Sequence, residues 1–156
     1  MPLSLPSLLL LALMLLLLSA AIEDVRTREI ANWKNGVIAL LAPAWWMASG
    51  MTLWPGVAIQ LGIATLVFGL FVGAFAIGQM GGGDVKLIGA LALWLPPEPL
   101  LWMLVLMSLL GGALTLLMLI DKRLRKKQQL PEIPYGVAIA LAALLVIREP
   151  ILNQFR

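Results

Sequence analysis

The sequence predicts an all-α polytopic membrane protein. It has six transmembrane helices, its amino terminus outside, and a short fourth helix behind a glycine loop. Three observations carry this expectation. Of 156 residues, 62% are hydrophobic and 12% charged, with a mean hydropathy of +1.00, whereas soluble chains are about 45–50% apolar and about 25% charged. Apolar runs recur along the whole length, separated by short polar or Pro/Gly-rich breaks. No break is long or polar enough to fold by itself, so residues 1–156 read as one membrane-embedded domain.

The expected spans are about 3–22, 36–54, 57–77, 85–95, 100–120 and 134–147. Leu3 to Ile22 is 20 residues without a charge, enough to cross a core roughly 30 Å thick. Residues 1–7 lack the basic start of a secretory leader, so this run is expected to be a retained span. A polar segment, Glu23 to Asn35, follows. The second span ends in Trp45, Trp46 and Trp54, residues suited to an interfacial belt. Pro55-Gly56 signals a tight turn. The third span carries Gly69-x-x-x-Gly73, a helix–helix packing signal, and Gln60 and Thr65, expected to hydrogen-bond between helices. After a glycine loop, Gly78 to Asp84, the fourth apolar run (Val85 to Leu95) has only 11 residues. At about 1.5 Å per residue it covers roughly 16 Å, which implies that the glycine loop dips below the membrane surface. Pro96-Pro97-Glu98-Pro99 stops it. The fifth span is Leu100 to Ile120, and Pro134 suits the first turn of the sixth helix.

Composition excludes several chemistries. There is no cysteine and no histidine, which removes disulfides, thiol catalysis and the usual zinc sites; no metal or cofactor is expected. Acid–base work falls to carboxylates. Five of the eleven basic residues lie within Lys122 to Lys127, where they mark topology and lipid headgroup contact rather than nucleic acid. With the amino terminus outside, Arg26, Arg28, Lys34, Lys86 and that cluster fall inside, and only Arg148 and Arg156 outside. The positive-inside rule favours this orientation. It puts Asp24 and Asp84 on the cytoplasmic side and Glu98 on the opposite one.

The most informative stretch is Gly81-Gly82-Gly83-Asp84. A carboxylate near lipid costs roughly 2.5–3.5 kcal/mol on insertion scales, and glycines cost backbone entropy, so their combination suggests a use. Two carboxylates and a water can hydrolyse a peptide bond without metal: one takes a proton from the water, and the other, protonated, polarises the carbonyl. Two such groups a few ångströms apart share one proton. The three glycines would give an extended substrate room to approach. Asp24 ends a helix and Asp84 starts one, so helix dipoles alone would leave the proton on Asp24 and the charge on Asp84.

Three blocks carry a resemblance. Gly81-Gly82-Gly83-Asp84-Val85-Lys86-Leu87 matches the GxGD signature of the type IV prepilin peptidases, a group of intramembrane aspartic proteases. Glu23 to Trp33 resembles that family's first motif, with Ala31 where the family commonly has proline. Pro134-Tyr135-Gly136-Val137-Ala138 is similar to a segment of its last helix. The resemblance implies that Asp24 and Asp84 are the catalytic pair, and that the substrates are prepilins or pseudopilins cut at the cytoplasmic face of a bacterial inner membrane. Pilus-assembly machinery and membrane lipids are the implied partners. With no cysteine and no insert between Glu23 and Asn35, the chain is similar to the short, peptidase-only form of tight-adherence (Flp) pilus systems, for which no methyltransferase activity is expected. Lys86, Asn32, Tyr135 and Gly136 are candidate supporting residues; snorkelling to headgroups is the plainer role for Lys86, and Glu23 and Glu29 read as solvated. Two other functions fit the same features: a small proton- or cation-coupled transporter, and a non-catalytic scaffold for pilus assembly.

Overall fold

The computed structural model describes residues 4–125 and 133–154, and all regular structure among them is helical. Six helices follow in order: α1 (Leu5–Thr27), α2 (Asn32–Ala48), α3 (Ala58–Ala76), α4 (Gly82–Ala92), α5 (Pro97–Arg125) and α6 (Tyr135–Gln154). Three are long and apolar enough to cross a membrane: α1, α5 and α3 together with the helical turn that leads into it. α2 has 17 residues and α4 only 11. Of the basic residues used for orientation, Lys126, Lys127 and Arg156 lie outside the described residues, as do the side chains of Arg125 and Arg148.

Local signals set the helix ends. Ser4 caps α1, accepting the Ser7 N–H at 3.4 Å, with a proline in the first turn. α1 then runs beyond its apolar stretch and stops where Arg28 turns left-handed (φ 60), returning its N–H to the Asp24 carbonyl at 3.0 Å. α2 begins as early as Asn32. The expected polar segment is therefore mostly helix, with only residues 28–31 between. An ion pair explains this: Lys34 Nζ lies 2.9 Å from Glu23 Oε2 and also donates to the Ser19 carbonyl at 3.0 Å. Lys34 is buried, so the two polar helix ends pack on each other instead of trailing in solvent. Glu23 is a clamp, not the solvated residue expected.

α4 forms the centre. It packs on α2, α3 and α6, and Leu87, Ile88, Leu91 and Ala92 lose all exposure. A helix of roughly 16 Å that ends inside a bundle leaves carbonyls without intrahelical partners. Side chains from the neighbours supply the donors. Gln60 of α3 donates to the carbonyls of Ala92 and Leu95, both at 2.7 Å, and Trp46 Nε1 of α2 donates to the Leu93 carbonyl at 2.8 Å. Trp94 returns a bond to the Ile38 carbonyl at 2.8 Å and stacks on Trp45 with ring centroids 5.7 Å apart. The tryptophans expected as a belt thus divide: Trp45 and Trp46 hold the end of α4, and Trp54 is exposed.

Other expectations change as well. Pro55-Gly56 lies in a tight segment, Leu53–Val57, that kinks at the extended Trp54 (φ −131, ψ 129) before α3 begins. Thr65 bonds its own helix, at the Leu61 carbonyl. Gly69 and Gly73 have nothing within 4 Å of where a Cβ would sit. The spacing is a packing signal in the sequence, but α3 turns that face away from the rest of the chain. α5 is longer than its expected span. Gly111, near its middle, lies against the ring of Tyr135 at the start of α6, where an added Cβ would come within 2.8 Å. The second half of α5 therefore projects past the end of the bundle at which α4 and α6 begin. Asp121, Lys122 and Arg123 ride on that projection as helix, not loop.

Replacing Gln60 by leucine should leave the Ala92 and Leu95 carbonyls unpaired in an apolar surround, costing about 1–3 kcal/mol. The check is the midpoint of denaturant unfolding of the purified protein in detergent. An unchanged midpoint would contradict the assigned role.

Candidate active site

Four chain segments meet at one end of the bundle: the end of α1, the linker 28–31, and the first turns of α4 and α6. Asp24 is 4% exposed and its Oδ2 accepts the Val137 N–H at 3.1 Å. It therefore lies against the amino-terminal turn of α6, where free N–H groups and the helix dipole favour negative charge. Gly136 makes this approach possible. A Cβ there would stand 2.8 Å from Asp24 Oδ2 and 2.7 Å from Ile30 Cδ1.

Asp84 belongs to the first turn of α4. Gly81 caps that helix, and Gly82, Gly83 and Asp84 are its first three residues, so the break expected to extend to Asp84 ends earlier. The carboxylate folds back over its own cap, its Oδ2 3.1 Å from where a Gly81 Cβ would sit, as an acid three residues past a cap does. It also stands within electrostatic reach of Asp24.

Ile30 joins the two halves. Its Cβ and backbone N lie 3.3 and 3.4 Å from where a Gly83 Cβ would sit, while its Cδ1 reaches Gly136. It is buried and fills the space between the first turns of α4 and α6. Sequence reasoning passed over it, although it is the one bulky aliphatic residue in Arg26-Thr27-Arg28-Glu29-Ile30-Ala31-Asn32. The linker that carries it is fixed from below: Ala31 N donates to Glu23 Oε2 at 3.1 Å. Ala31 has a φ of −59, an angle proline also takes, but proline has no N–H to give Glu23.

The other expected residues separate. Gly81, Gly82 and Gly83 face Asp84, Phe75 and Ile30 respectively, so their open sides are filled by this chain. Gly136 borders Asp24 directly. Tyr135 turns away and packs on Gly111. Lys86 and Asn32 bond each other at 2.7 Å on a different face of α4 from Asp84. The helix-end asymmetry expected to put the proton on Asp24 is offset, because each aspartate faces the amino terminus of a helix: α4 for Asp84, α6 for Asp24. Among the described residues no cluster of three or more acidic side chains offers a metal site. The arrangement is a buried carboxylate, Asp24, held by the Val137 N–H, and a half-buried one, Asp84, in the first turn of α4. Such a pair can keep one proton between its members and exchange it with a bound water.

A profile of the type IV leader peptidase family matches residues 11–116, more than half of the chain. The chain belongs to that family. Comparison with curated proteins and with solved structures returned no match. The stretch shared with the leader peptidases contains Asp24, Ile30, Gly83 and Asp84, whereas Gly136 and Val137 lie beyond it. As a member of that family the protein is a peptidase, and its apolar helices make it a membrane one.

Gly136→Ala should displace Asp24 or Ile30, whereas Gly69→Ala adds a methyl to open space. The first is expected to lower peptidase activity at least tenfold and the second to leave it within twofold. Equal activity of the two variants would remove Gly136 from the site.

Proposed function

We propose that this leader peptidase is an aspartic endopeptidase that cuts leader peptides from type IV prepilins, of the Flp type, at the cytoplasmic face of the bacterial inner membrane. Asp24 and Asp84 are its catalytic pair. The observation that supports the reading is their placement: two carboxylates 60 positions apart, Asp24 at the first turn of α6 and Asp84 in the first turn of α4, with Ile30 packed between those turns. The chemistry needs no other group. The ionised member takes a proton from water as its oxygen attacks the scissile carbonyl carbon. The protonated member gives its proton to the carbonyl oxygen. The tetrahedral intermediate then collapses: the first carboxyl gives its new proton to the leaving nitrogen as the C–N bond breaks, and a hydroxyl of the intermediate returns its proton to the second carboxylate, so the pair again holds one proton.

Two features support a site recessed in the membrane. The apolar run of α5 continues from Gly111, level with the start of α6, to Ile120, roughly 13 Å further along the helix axis. α4 is short because it begins at that recessed level. In this reading all six helices cross, α4 with the chain at its two ends. The basic residues, nine on one side against two, orient the aspartate end to the cytoplasm. The short Flp-type form and the absence of methyl transfer follow from the family resemblance and the missing insert. Pilus-assembly machinery would be its partner, and Gly81 to Gly83 would serve by letting chain segments approach closely at the pair.

Co-expression of an Flp prepilin with the wild type, Asp24→Ala and Asp84→Ala tests this. The wild type should shorten the pilin and each variant should lose at least a thousandfold in rate. Processing by either variant would sink the pair; proton or cation flux in proteoliposomes without processing would favour a transporter. Processing by the purified enzyme should fall on both sides of an optimum pH. At low pH both carboxyls are protonated and no base remains; at high pH both are ionised and no acid remains.

A further inference from the structure

A sizeable cavity with a polar end lies away from the aspartates. It is an open pocket of about 490 Å³ between α2, α3 and α4. α4 contributes Lys86, Gly89, Ala90 and Leu93, one stripe at helical spacing. Asp84 is two residues before Lys86, about 200° around the axis, so the pocket opens on the opposite face of α4. Its body is apolar, formed by residues such as Leu61, Ala64 and Phe68 from α3. It follows α4 for the eight residues from Lys86 to Leu93, roughly 10 Å. Phe68 closes over Gly89, whose missing side chain lets the ring approach; a Cβ there would meet it at 2.5 Å.

Apart from Thr65, whose hydroxyl bonds its own helix at the Leu61 carbonyl, the polar groups sit at one end. Lys86 is exposed and donates to the neutral Asn32 Oδ1 at 2.7 Å, and no described carboxylate pairs with it. Asn35 is buried and also lines this end. Its Nδ2 donates to the Gly83 carbonyl at 3.2 Å, which fixes the amide orientation and leaves Oδ1 as an acceptor with no partner among the described residues. An uncompensated cation at one end of an apolar trough matches an anionic amphiphile.

We infer that this pocket holds one anionic phospholipid of the phosphatidylglycerol type. Its phosphate meets Lys86, and an acyl chain lies along α4. Bound there, the lipid covers the side of α4 that α2 and α3 leave open. It fills apolar space beside a helix too short to span by itself. The site does not depend on the peptidase reading, because it lies on the other face of the helix.

Native mass spectrometry of the purified full-length protein, offered equal amounts of phosphatidylglycerol and phosphatidylcholine, tests the assignment. The wild type should retain phosphatidylglycerol at least tenfold over phosphatidylcholine. Lys86→Gln should bring that ratio close to one, and Thr65→Trp, at the exposed rim of the trough, should reduce retention of both lipids. No preference in the wild type, or an undiminished preference in Lys86→Gln, would overturn the assignment. A photo-crosslinker at Ala39, which also lines the pocket, should yield an adduct of phospholipid mass in native membranes. A polypeptide adduct there would overturn it too.

Discussion

A helix that stops inside the protein governs this structure. α4 is half the length needed to cross a membrane, so its last carbonyls open into an apolar interior where no water is at hand to satisfy them. Gln60 from α3 and Trp46 from α2 must reach them, which fixes where both neighbours pack. The same shortness sets the level of its first turn. Asp84 starts where α5 is only half-way along, and α6 must begin at that level too for Gly136 and Val137 to meet Asp24. Depth, packing and the position of the carboxylates are thus one constraint seen from three sides.

At the other end of α4 the governing fact is closeness. Two glycines from distant segments, Gly83 and Gly136, let one isoleucine bridge two helix amino termini, and Asp24 fits beneath the second of them. The linker carrying Ile30 is only four residues long, and it is held by a left-handed turn at Arg28, the Glu23–Lys34 ion pair and the Ala31 N–H. The alanine in the family's usual proline position is therefore compatible with the backbone and adds a bond. What looks in the sequence like a small departure from a motif is, in the fold, another tie on the segment next to Asp24.

Much of this is legible in the sequence, and the limits have physical reasons. Helix number and the shortness of the fourth helix follow from hydropathy, because lipid punishes unpaired backbone. The two aspartates stand out because carboxylates are rare beside apolar runs. Contacts made across the bundle are less visible. Glu23 reads as a solvated charge because nothing in its spacing to Lys34 shows that two helix ends will fold onto each other. Trp45 and Trp46 resemble a belt because their partners lie about fifty residues away. Gly69 and Gly73 have the spacing of a packing motif, but spacing alone does not say which way a helix faces. The proton argument is incomplete for a similar reason. It assigned each aspartate the dipole of its own helix, whereas Asp24 is held by the dipole of another.

The central claim is that Asp24 and Asp84 act as one electrostatic unit. Infrared titration of Asp84, labelled in its carboxyl group and followed in the wild type and in Asp24→Asn, measures this most directly. With a charged neighbour removed, the ionisation of Asp84 should move to lower pH and collapse to a single step. A titration curve for Asp84 that is the same in both proteins would contradict the pairing, however close the two side chains lie.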